Sequence, residues 1–228
     1  MTKPPDTVTI PLEEGASVSG LLNLPAPARA CLVLAHGAGA GMQHPFMGQV
    51  ATGLAERGIG TLRYQFPYMQ KGSRRPDPPK VCHATVRAAI ATASRLAPSL
   101  PLLAGGRSFG GRMTSQAQAA APLPAVRGLV FLGFPLHPAR QPSNTRAEHL
   151  SSVQIPMLFQ QGSRDELAEL ELLEPLVRRL GDLATLKLFA DANHSFHVPA
   201  RTGRNDAQIR GEMLDAVASW TESIVRGP

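Results

Sequence analysis

The sequence predicts an α/β fold built on a mostly parallel, doubly wound sheet that opens with an antiparallel hairpin. Apolar runs of strand length alternate with longer amphipathic segments along most of the chain, which is typical of repeated strand–helix units. Residues 30–35 are continuously apolar, as expected for a strand buried on both faces of a parallel sheet. Residues 7–10 and 18–22 alternate or run apolar around Glu13-Glu14-Gly15, which favours a hairpin before the first parallel strand.

The remaining elements follow in order along the chain. Strands are expected at residues 30–35, 59–66, 100–104, 126–134, 155–161 and 186–189. Helices are expected at residues 46–57, 81–96, 112–121, 166–180 and 206–225. Because 228 residues suit one core and are short for two, we expect a single domain over residues 1–228 with no inserted cap domain.

Composition limits the classes of function. The net charge is +6, but apart from Lys71-Gly72-Ser73-Arg74-Arg75 the basic residues are dispersed, so we expect no nucleic-acid partner. No basic segment followed by an apolar core opens the chain, and no run approaches the roughly 20 apolar residues of a membrane span. Cys31 and Cys82 show no pattern of spaced pairs, which favours free thiols in a reducing compartment. We therefore expect a soluble cytoplasmic protein without a membrane partner.

The segment Gly106-Arg107-Ser108-Phe109-Gly110 carries the strongest chemical signal. It comes directly after the apolar run at residues 100–104, and the helix that includes residues 112–121 is expected to start just after Ser108. A Gly-x-Ser-x-Gly turn between a strand and a helix presents the serine hydroxyl at the sheet edge, and its glycines leave room for the following helix. Such a hydroxyl attacks an acyl carbon only when a base takes its proton. The alternative is an ordinary glycine-rich turn.

A base and an orienting acid have candidates at the same edge of the sheet. Asp165 follows the expected strand at residues 155–161, and His194 follows the expected strand at residues 186–189. The carboxyl ends of parallel strands meet at one edge, so both side chains are expected near Ser108. His194 would accept the serine proton, and Asp165 would orient the imidazole and stabilise its charged form.

Two neighbouring residues remain open as substitutes. Glu166 is the alternative acid if the turn is rotated by one residue, and His197 is the alternative base. Asp165 is also expected to cap the helix that Glu166 would open.

Donors for the developing oxyanion are expected from two turns. The backbone N–H of Phe109, directly after the candidate nucleophile, is one, and the turn His36-Gly37-Ala38-Gly39 would supply the other, with Ala38 the first choice. His36 is interpreted as a structural residue that holds this turn by hydrogen bonds.

A partly apolar substrate pocket is expected where aromatic and methionine side chains follow the strand ends. The candidates are Met42, Phe46, Tyr68, Phe134 and Phe196. Any one of them could instead be a core residue. The histidines lack the short spacing with carboxylates that is typical of metal ligands, so neither a metal nor a cofactor is expected.

The order Ser108, Asp165, His194 along the chain resembles that of the α/β-hydrolases, in their dienelactone-hydrolase-like form. A closer resemblance is to the small cap-less hydrolase-like domain of a testis-expressed vertebrate protein and of a subunit of the non-specific-lethal chromatin complex. The matching segments are His36-Gly37-Ala38-Gly39, residues 105–112, residues 134–138, residues 146–150, Gly162-Ser163-Arg164-Asp165 and residues 192–196. Dienelactone hydrolases use a cysteine where Ser108 stands, so a dienelactone substrate is not expected.

The resemblance implies a serine hydrolase, and the residues are consistent with one that cleaves a small ester or thioester through an acyl-enzyme. The alternative is a scaffold that keeps the hydrolase fold for protein binding, because members of this branch act in regulatory assemblies. The resemblance assigns no role to His137 or His149.

Overall fold

Residues 4–226 are described by this computed structural model, and their strands form one eight-stranded sheet. The strands are β1 (Asp6–Pro11), β2 (Ser17–Asn23), β3 (Ala30–Ala35), β4 (Ile59–Tyr64), β5 (Leu102–Arg107), β6 (Val126–Leu132), β7 (Met157–Gly162) and β8 (Ala184–Phe189). Their order in the sheet is β1-β2-β4-β3-β5-β6-β7-β8. β1 and β2 form the expected antiparallel hairpin, β2 pairs antiparallel with β4, and all other neighbours are parallel.

Helices cover both faces of the sheet, as the sequence predicts. They are α1 (Pro45–Ala55), α2 (Pro67–Gln70), α3 (Pro79–Leu96), α4 (Phe109–Ala120), α5 (Leu170–Leu180) and α6 (Asp206–Arg226). Helices α3, α4 and α5 pack on one face with the larger apolar cluster, and α1 and α6 pack on the other. Within residues 4–226 no inserted cap domain covers the carboxyl ends of the strands.

Strand β3 shows why a continuous apolar run forms a central strand. Its side chains alternate between the two clusters, with Cys31 and Val33 on the α3 side and Leu32 and Leu34 on the α1 side. All six of its residues are buried. A polar side chain at any of these positions would have to be buried without water, which is costly unless it finds a hydrogen-bond partner.

Helix α5 begins at Leu170 instead of residue 166, and Glu169 is the residue that precedes it. The Asp165 carboxylate accepts a hydrogen bond from the Leu167 N–H at 2.8 Å, which holds this stretch as a turn. The expectation that Asp165 caps a helix opened by Glu166 is therefore wrong. The turn shortens the helix and fixes the Asp165 side chain instead.

No helix among the described residues is long and apolar enough to cross a membrane. Residues 1–3 and 227–228, which belong to the expected domain 1–228, lie outside the described residues. Residues 1–3 also belong to the segment in which the sequence predicts no export signal.

Candidate active site

Ser108 lies in a sharp turn between β5 and α4. β5 ends at Arg107 and α4 begins at Phe109, and Ser108 has φ 48° and ψ −116°, a backbone conformation that is costly for any residue with a side chain. A Cβ on Gly106 would lie 2.5 Å from the Ala35 carbonyl oxygen. Glycine is therefore required where the turn approaches β3, as the sequence motif predicts.

The structure brings together the three side chains that the sequence predicts at this edge. The Ser108 Oγ lies 2.8 Å from His194 Nε2, and His194 Nδ1 lies 2.7 Å from Asp165 Oδ2. The Asp165 side chain is fully buried, whereas the His194 side chain is 22% exposed. A proton on His194 Nδ1 leaves Nε2 free to accept the Ser108 proton, which is the tautomer that general-base chemistry needs.

The Asp165 carboxylate is held by two further donors. Its Oδ1 accepts the Leu167 N–H described above, and its Oδ2 accepts a hydrogen bond from the Gln161 side-chain amide in addition to the bond from His194. The orientation of Gln161 is fixed because its Oε1 accepts the Phe134 N–H at 2.9 Å. The Nε2 of Gln161 must therefore face the carboxylate.

The loop after β6 also supports the Asp165 turn through its backbone. The Leu167 carbonyl accepts hydrogen bonds from the N–H groups of Leu136 and His137 at 2.8 and 3.2 Å. The His137 side chain is fully buried, and its Nε2 lies 3.0 Å from a Glu169 carboxylate oxygen. This approach lacks hydrogen-bond geometry, so the loop after β6 is joined to the Asp165 turn by the two backbone hydrogen bonds.

His36 holds the turn that follows β3. Its Nε2 accepts the Phe66 N–H at 3.1 Å, so Nδ1 carries the proton and donates to the Gly37 carbonyl at 2.8 Å. Burial lowers the pKa of His36 below its ordinary value, which favours this neutral form. The interpretation of His36 as a structural residue fits these contacts.

The two alternative residues lie elsewhere. Glu166 is exposed beside the Asp165 turn. His197 is exposed and its Nδ1 lies 3.0 Å from an Asp206 carboxylate oxygen. Neither takes part in the hydrogen bonds that join Ser108, His194 and Asp165.

The aromatic residues expected around a pocket separate into different environments. Phe46 and Phe196 stack with ring centroids 6.3 Å apart, and the Arg107 guanidinium carbon lies 4.4 Å from the centre of the Phe46 ring. Tyr68 is buried with its ring 6.4 Å from that of Phe109.

The other two pocket candidates, Met42 and Phe134, are buried like Tyr68. Met42 is 5% exposed. Phe134 is completely buried against Phe131 and Phe159, so it could shape a pocket only from behind. The pocket assignment of these five residues stays a prediction.

His149 is hydrogen-bonded to a second serine, Ser115, which lies on helix α4. Its Nε2 lies 2.8 Å from the Oγ of Ser115, which is fully buried within α4. Burial lowers the pKa of His149 to about 4, and the charges of Arg112 and His83 act in the same direction. This pair joins α4 to the 3₁₀ segment Thr145–Ser152.

Among residues 4–226, no group of three or more His, Cys, Asp or Glu side chains is arranged to hold a metal ion.

A mostly parallel sheet with helices on both faces, and a serine in a strained turn at the carboxyl end of a central strand, define the α/β-hydrolase class of proteins. A model of the alpha/beta hydrolase domain family matches residues 28–222. The chain therefore belongs to that family.

Solved structures with the same fold include enzymes. A lidless serine hydrolase from Xanthomonas campestris is 21% identical, with a TM-score of 0.73 and 96% of each chain covered. A dienelactone hydrolase from Anabaena variabilis is 22% identical, with a TM-score of 0.73 and 96% of each chain covered. A cold-adapted esterase from an Arctic intertidal metagenomic library is 18% identical, with a TM-score of 0.67, 94% of this chain and 93% of that chain covered. These likenesses concern the fold.

Sequence reasoning missed Gln161 and Gly133 at this site. Gln161 belongs to a pair of glutamines, Gln160 and Gln161, at the end of a strand that begins apolar, and that pair was the available signal. Gly133 has φ +75°, and a Cβ there would lie 3.3 Å from Cε1 of His194. A glycine directly after a buried strand marks this close approach to the imidazole, but the sequence does not say which side chain approaches.

Proposed function

We propose that this protein is a serine hydrolase that cleaves a small ester or thioester through an acyl-enzyme. The observation that carries the proposal is the continuous hydrogen-bonded chain from Ser108 through His194 to Asp165. Its three members follow three different strands. The backbone of Ser108 is strained, and such strain is concentrated at functional sites in proteins. The fold shared with a lidless serine hydrolase and an esterase supports the same reaction class.

In the first half of the reaction, the Ser108 oxygen forms a bond to the acyl carbon while its proton moves to His194 Nε2. The tetrahedral intermediate collapses when the bond to the leaving group breaks, and His194 returns the proton to that group. In the second half, His194 takes a proton from water, whose oxygen attacks the acyl carbon and releases the acid and Ser108. Asp165 keeps the imidazole in the required tautomer and stabilises its charge throughout.

The oxyanion donors in this proposal are the backbone N–H groups of Phe109 and Ala38. The Phe109 N–H is the first of helix α4 and has no acceptor inside the helix. The turn that holds Ala38 is anchored through the two hydrogen bonds of His36. Donors fixed before substrate arrives need no reorganisation as charge develops, which is the main advantage of such a site.

The finer assignments rest on the sequence motifs. The six matching segments support placing the chain in the cap-less branch with the testis-expressed and chromatin-complex proteins. Cys31 and Cys82 are both free and buried, which supports a reducing, cytoplasmic setting. Met42, Phe46, Tyr68, Phe134 and Phe196 are proposed to shape the apolar part of the substrate pocket.

Labelling with a fluorophosphonate probe tests the proposal. The wild-type protein is expected to be labelled, and Ser108→Ala is expected to lose the label completely. The matched control is Ser115→Ala, which removes the other serine that is hydrogen-bonded to a histidine; this variant should label as the wild type does. Absence of labelling in folded wild-type protein would favour the protein-binding scaffold, and labelling that survives in Ser108→Ala would refute the assigned nucleophile.

A further inference from the structure

Arg112 is a charged residue near Ser108 whose side chain makes no hydrogen bond to the described part of the protein. Its backbone N–H donates to the Ser108 carbonyl at 3.2 Å, so it lies one helical turn, about 5.4 Å, further along α4. Its Nε is buried and has no hydrogen-bond partner. A buried donor without an acceptor is costly, and such groups are rare in folded proteins.

The surroundings of Arg112 are basic or neutral. The charge of Arg146 acts on its guanidinium and, after burial, is the second cause that lowers its pKa. The charge of Arg112 in turn helps to lower the pKa of His83 and of His149. No carboxylate among residues 4–226 forms an ion pair with Arg112 or Arg146. Two arginines that repel each other without a shared acid are unfavourable unless something else neutralises them.

The position of the guanidinium connects it to the candidate active site. Its central carbon lies 5.8 Å from the centre of the Phe109 ring, and the Phe109 N–H is the proposed oxyanion donor. A substrate whose carbonyl carbon lies at Ser108 could therefore extend across the Phe109 ring and reach Arg112 with an acceptor several bonds away.

Arg107 does not offer the same opportunity. Its guanidinium stacks on the Phe46 ring and donates to the Ser195 Oγ at 3.1 Å. Arg112 also lies over an aromatic ring, that of Phe109, but at 5.8 Å, and among the described residues its guanidinium has no hydrogen bond like the one between Arg107 and Ser195. The charge that is left for a ligand is that of Arg112 and of Arg146, which lies on the 3₁₀ segment that the Ser115–His149 hydrogen bond joins to α4.

We propose that Arg112 and Arg146 form an anion-binding subsite beside Ser108, and that the substrate carries a carboxylate or phosphate group several bonds from its scissile carbonyl. This substrate class rests on the proposed hydrolase function. Arginine suits the role because its planar donor set matches the oxygens of a carboxylate or a phosphate.

A binding measurement tests the subsite without requiring turnover. Glutarate and inorganic phosphate are titrated separately into Ser108→Ala by calorimetry. We expect at least one of them to bind, and we expect Arg112→Met in the same background to weaken its binding by about tenfold to a hundredfold. Glutarate binding alone identifies a carboxylate ligand, and phosphate binding alone identifies a phosphate. Failure of both anions to bind overturns the proposal, even if the protein is shown to hydrolyse esters.

Turnover then tests the substrate class with matched esters. One pair is the p-nitrophenyl half-ester of adipate and the same ester with its free end as an uncharged carboxamide; a second pair places the carboxylate or carboxamide on the alcohol half. In at least one pair the wild type should favour the carboxylate by about tenfold or more in kcat/KM, and Arg112→Met should abolish that ratio. A ratio near one in wild type for both pairs, together with binding of glutarate, would overturn the carboxylate as substrate group.

Arg127→Met is the control for net charge, because Arg127 is exposed at the amino end of β6, the end of the sheet opposite Ser108. It should leave the anion affinity and the ester ratio unchanged; an equal loss in Arg127→Met would overturn the subsite. If Arg112→Met does not fold, as judged by thermal melting, Arg146→Met decides in its place, and unchanged binding and ratio in that variant count against the proposal.

Discussion

Two charged side chains near Ser108, Asp165 and Arg112, are treated in opposite ways by the fold. Every oxygen of the buried Asp165 carboxylate has at least one donor, from Gln161, His194 or the Leu167 backbone. The Arg112 Nε is buried without any partner. A satisfied group is fixed before a ligand arrives, whereas an unsatisfied one gains stability only when a ligand supplies what is missing.

The difference separates a positioning role from a recognition role. Asp165 acts through His194 and needs one orientation, which the hydrogen bonds supply. Arg112 would act on the substrate directly, and its unpaired donors would destabilise the folded protein until an anion binds. Functional sites often carry such a cost in stability. Variants at four positions, in order of decreasing effect, test this difference and the contacts around the two residues.

Asp165→Asn should have the largest effect. The amide would favour the wrong imidazole tautomer, and kcat for ester hydrolysis should fall by about 10⁴-fold. Tm should fall as well, because the buried amide nitrogen would face a donor where a carboxylate oxygen now accepts a hydrogen bond. Asp191→Asn, at an exposed acid that follows β8, is the control and should retain activity. A loss of less than about tenfold in Asp165→Asn would mean that the carboxylate does not position His194.

Gln161 tests whether the donors to Asp165 matter for the reaction. Gln161→Leu should lower kcat by about tenfold to a hundredfold, because Asp165 loses a donor and the Phe134 N–H loses its acceptor. Gln161→Glu keeps the shape but places a second carboxylate beside Asp165, and should lower kcat further. The rates of both variants, compared at equal folded fraction, check the order. If Gln161→Leu keeps the wild-type kcat, Gln161 contributes only packing.

Arg112→Met should show the opposite behaviour in stability. Replacement of an unpaired, partly buried charge by an apolar side chain should leave the free energy of unfolding within about 1 kcal/mol of wild type or raise it. Urea denaturation in the absence of anions measures this. Destabilisation by more than about 2 kcal/mol would show that the guanidinium is a structural group, and the contrast with Asp165 would disappear.

His149 should give the smallest effect, through pH. Burial lowers its folded-state pKa from 6.5 to about 4, so between these values the unfolded chain binds a proton that the folded protein does not. Stability is therefore lost as pH falls through this window. His149→Gln keeps a polar partner for Ser115 and should lose a few degrees less of Tm between about pH 7.5 and about pH 5. Equal losses in the two proteins would contradict this origin of the pH dependence.

The sequence was sufficient to place Ser108, Asp165 and His194 together, because each follows a strand of a parallel sheet and such strands end at one edge. It could not give the role of Gln161, since that depends on how the loop after β6 packs against a different strand end. The hydrogen bond from the Leu167 N–H to Asp165 holds the residues before α5 as a turn. The local helical pattern of the sequence cannot anticipate this later start of the helix. The isolation of Arg112 was also hidden, because it depends on how a 3₁₀ segment distant in sequence packs. That segment carries Arg146, and its acid, Glu148, is exposed and forms no ion pair with Arg112 among the described residues.

The most direct test of the account is to identify the acyl-enzyme. Wild-type protein is mixed with p-nitrophenyl acetate, quenched during the initial burst of p-nitrophenolate, and analysed by intact mass and peptide mapping. The account predicts one acetyl group per chain, attached to Ser108, and no adduct in Ser108→Ala. An acetyl group on Ser115 or a cysteine, or undiminished turnover in Ser108→Ala, would contradict it.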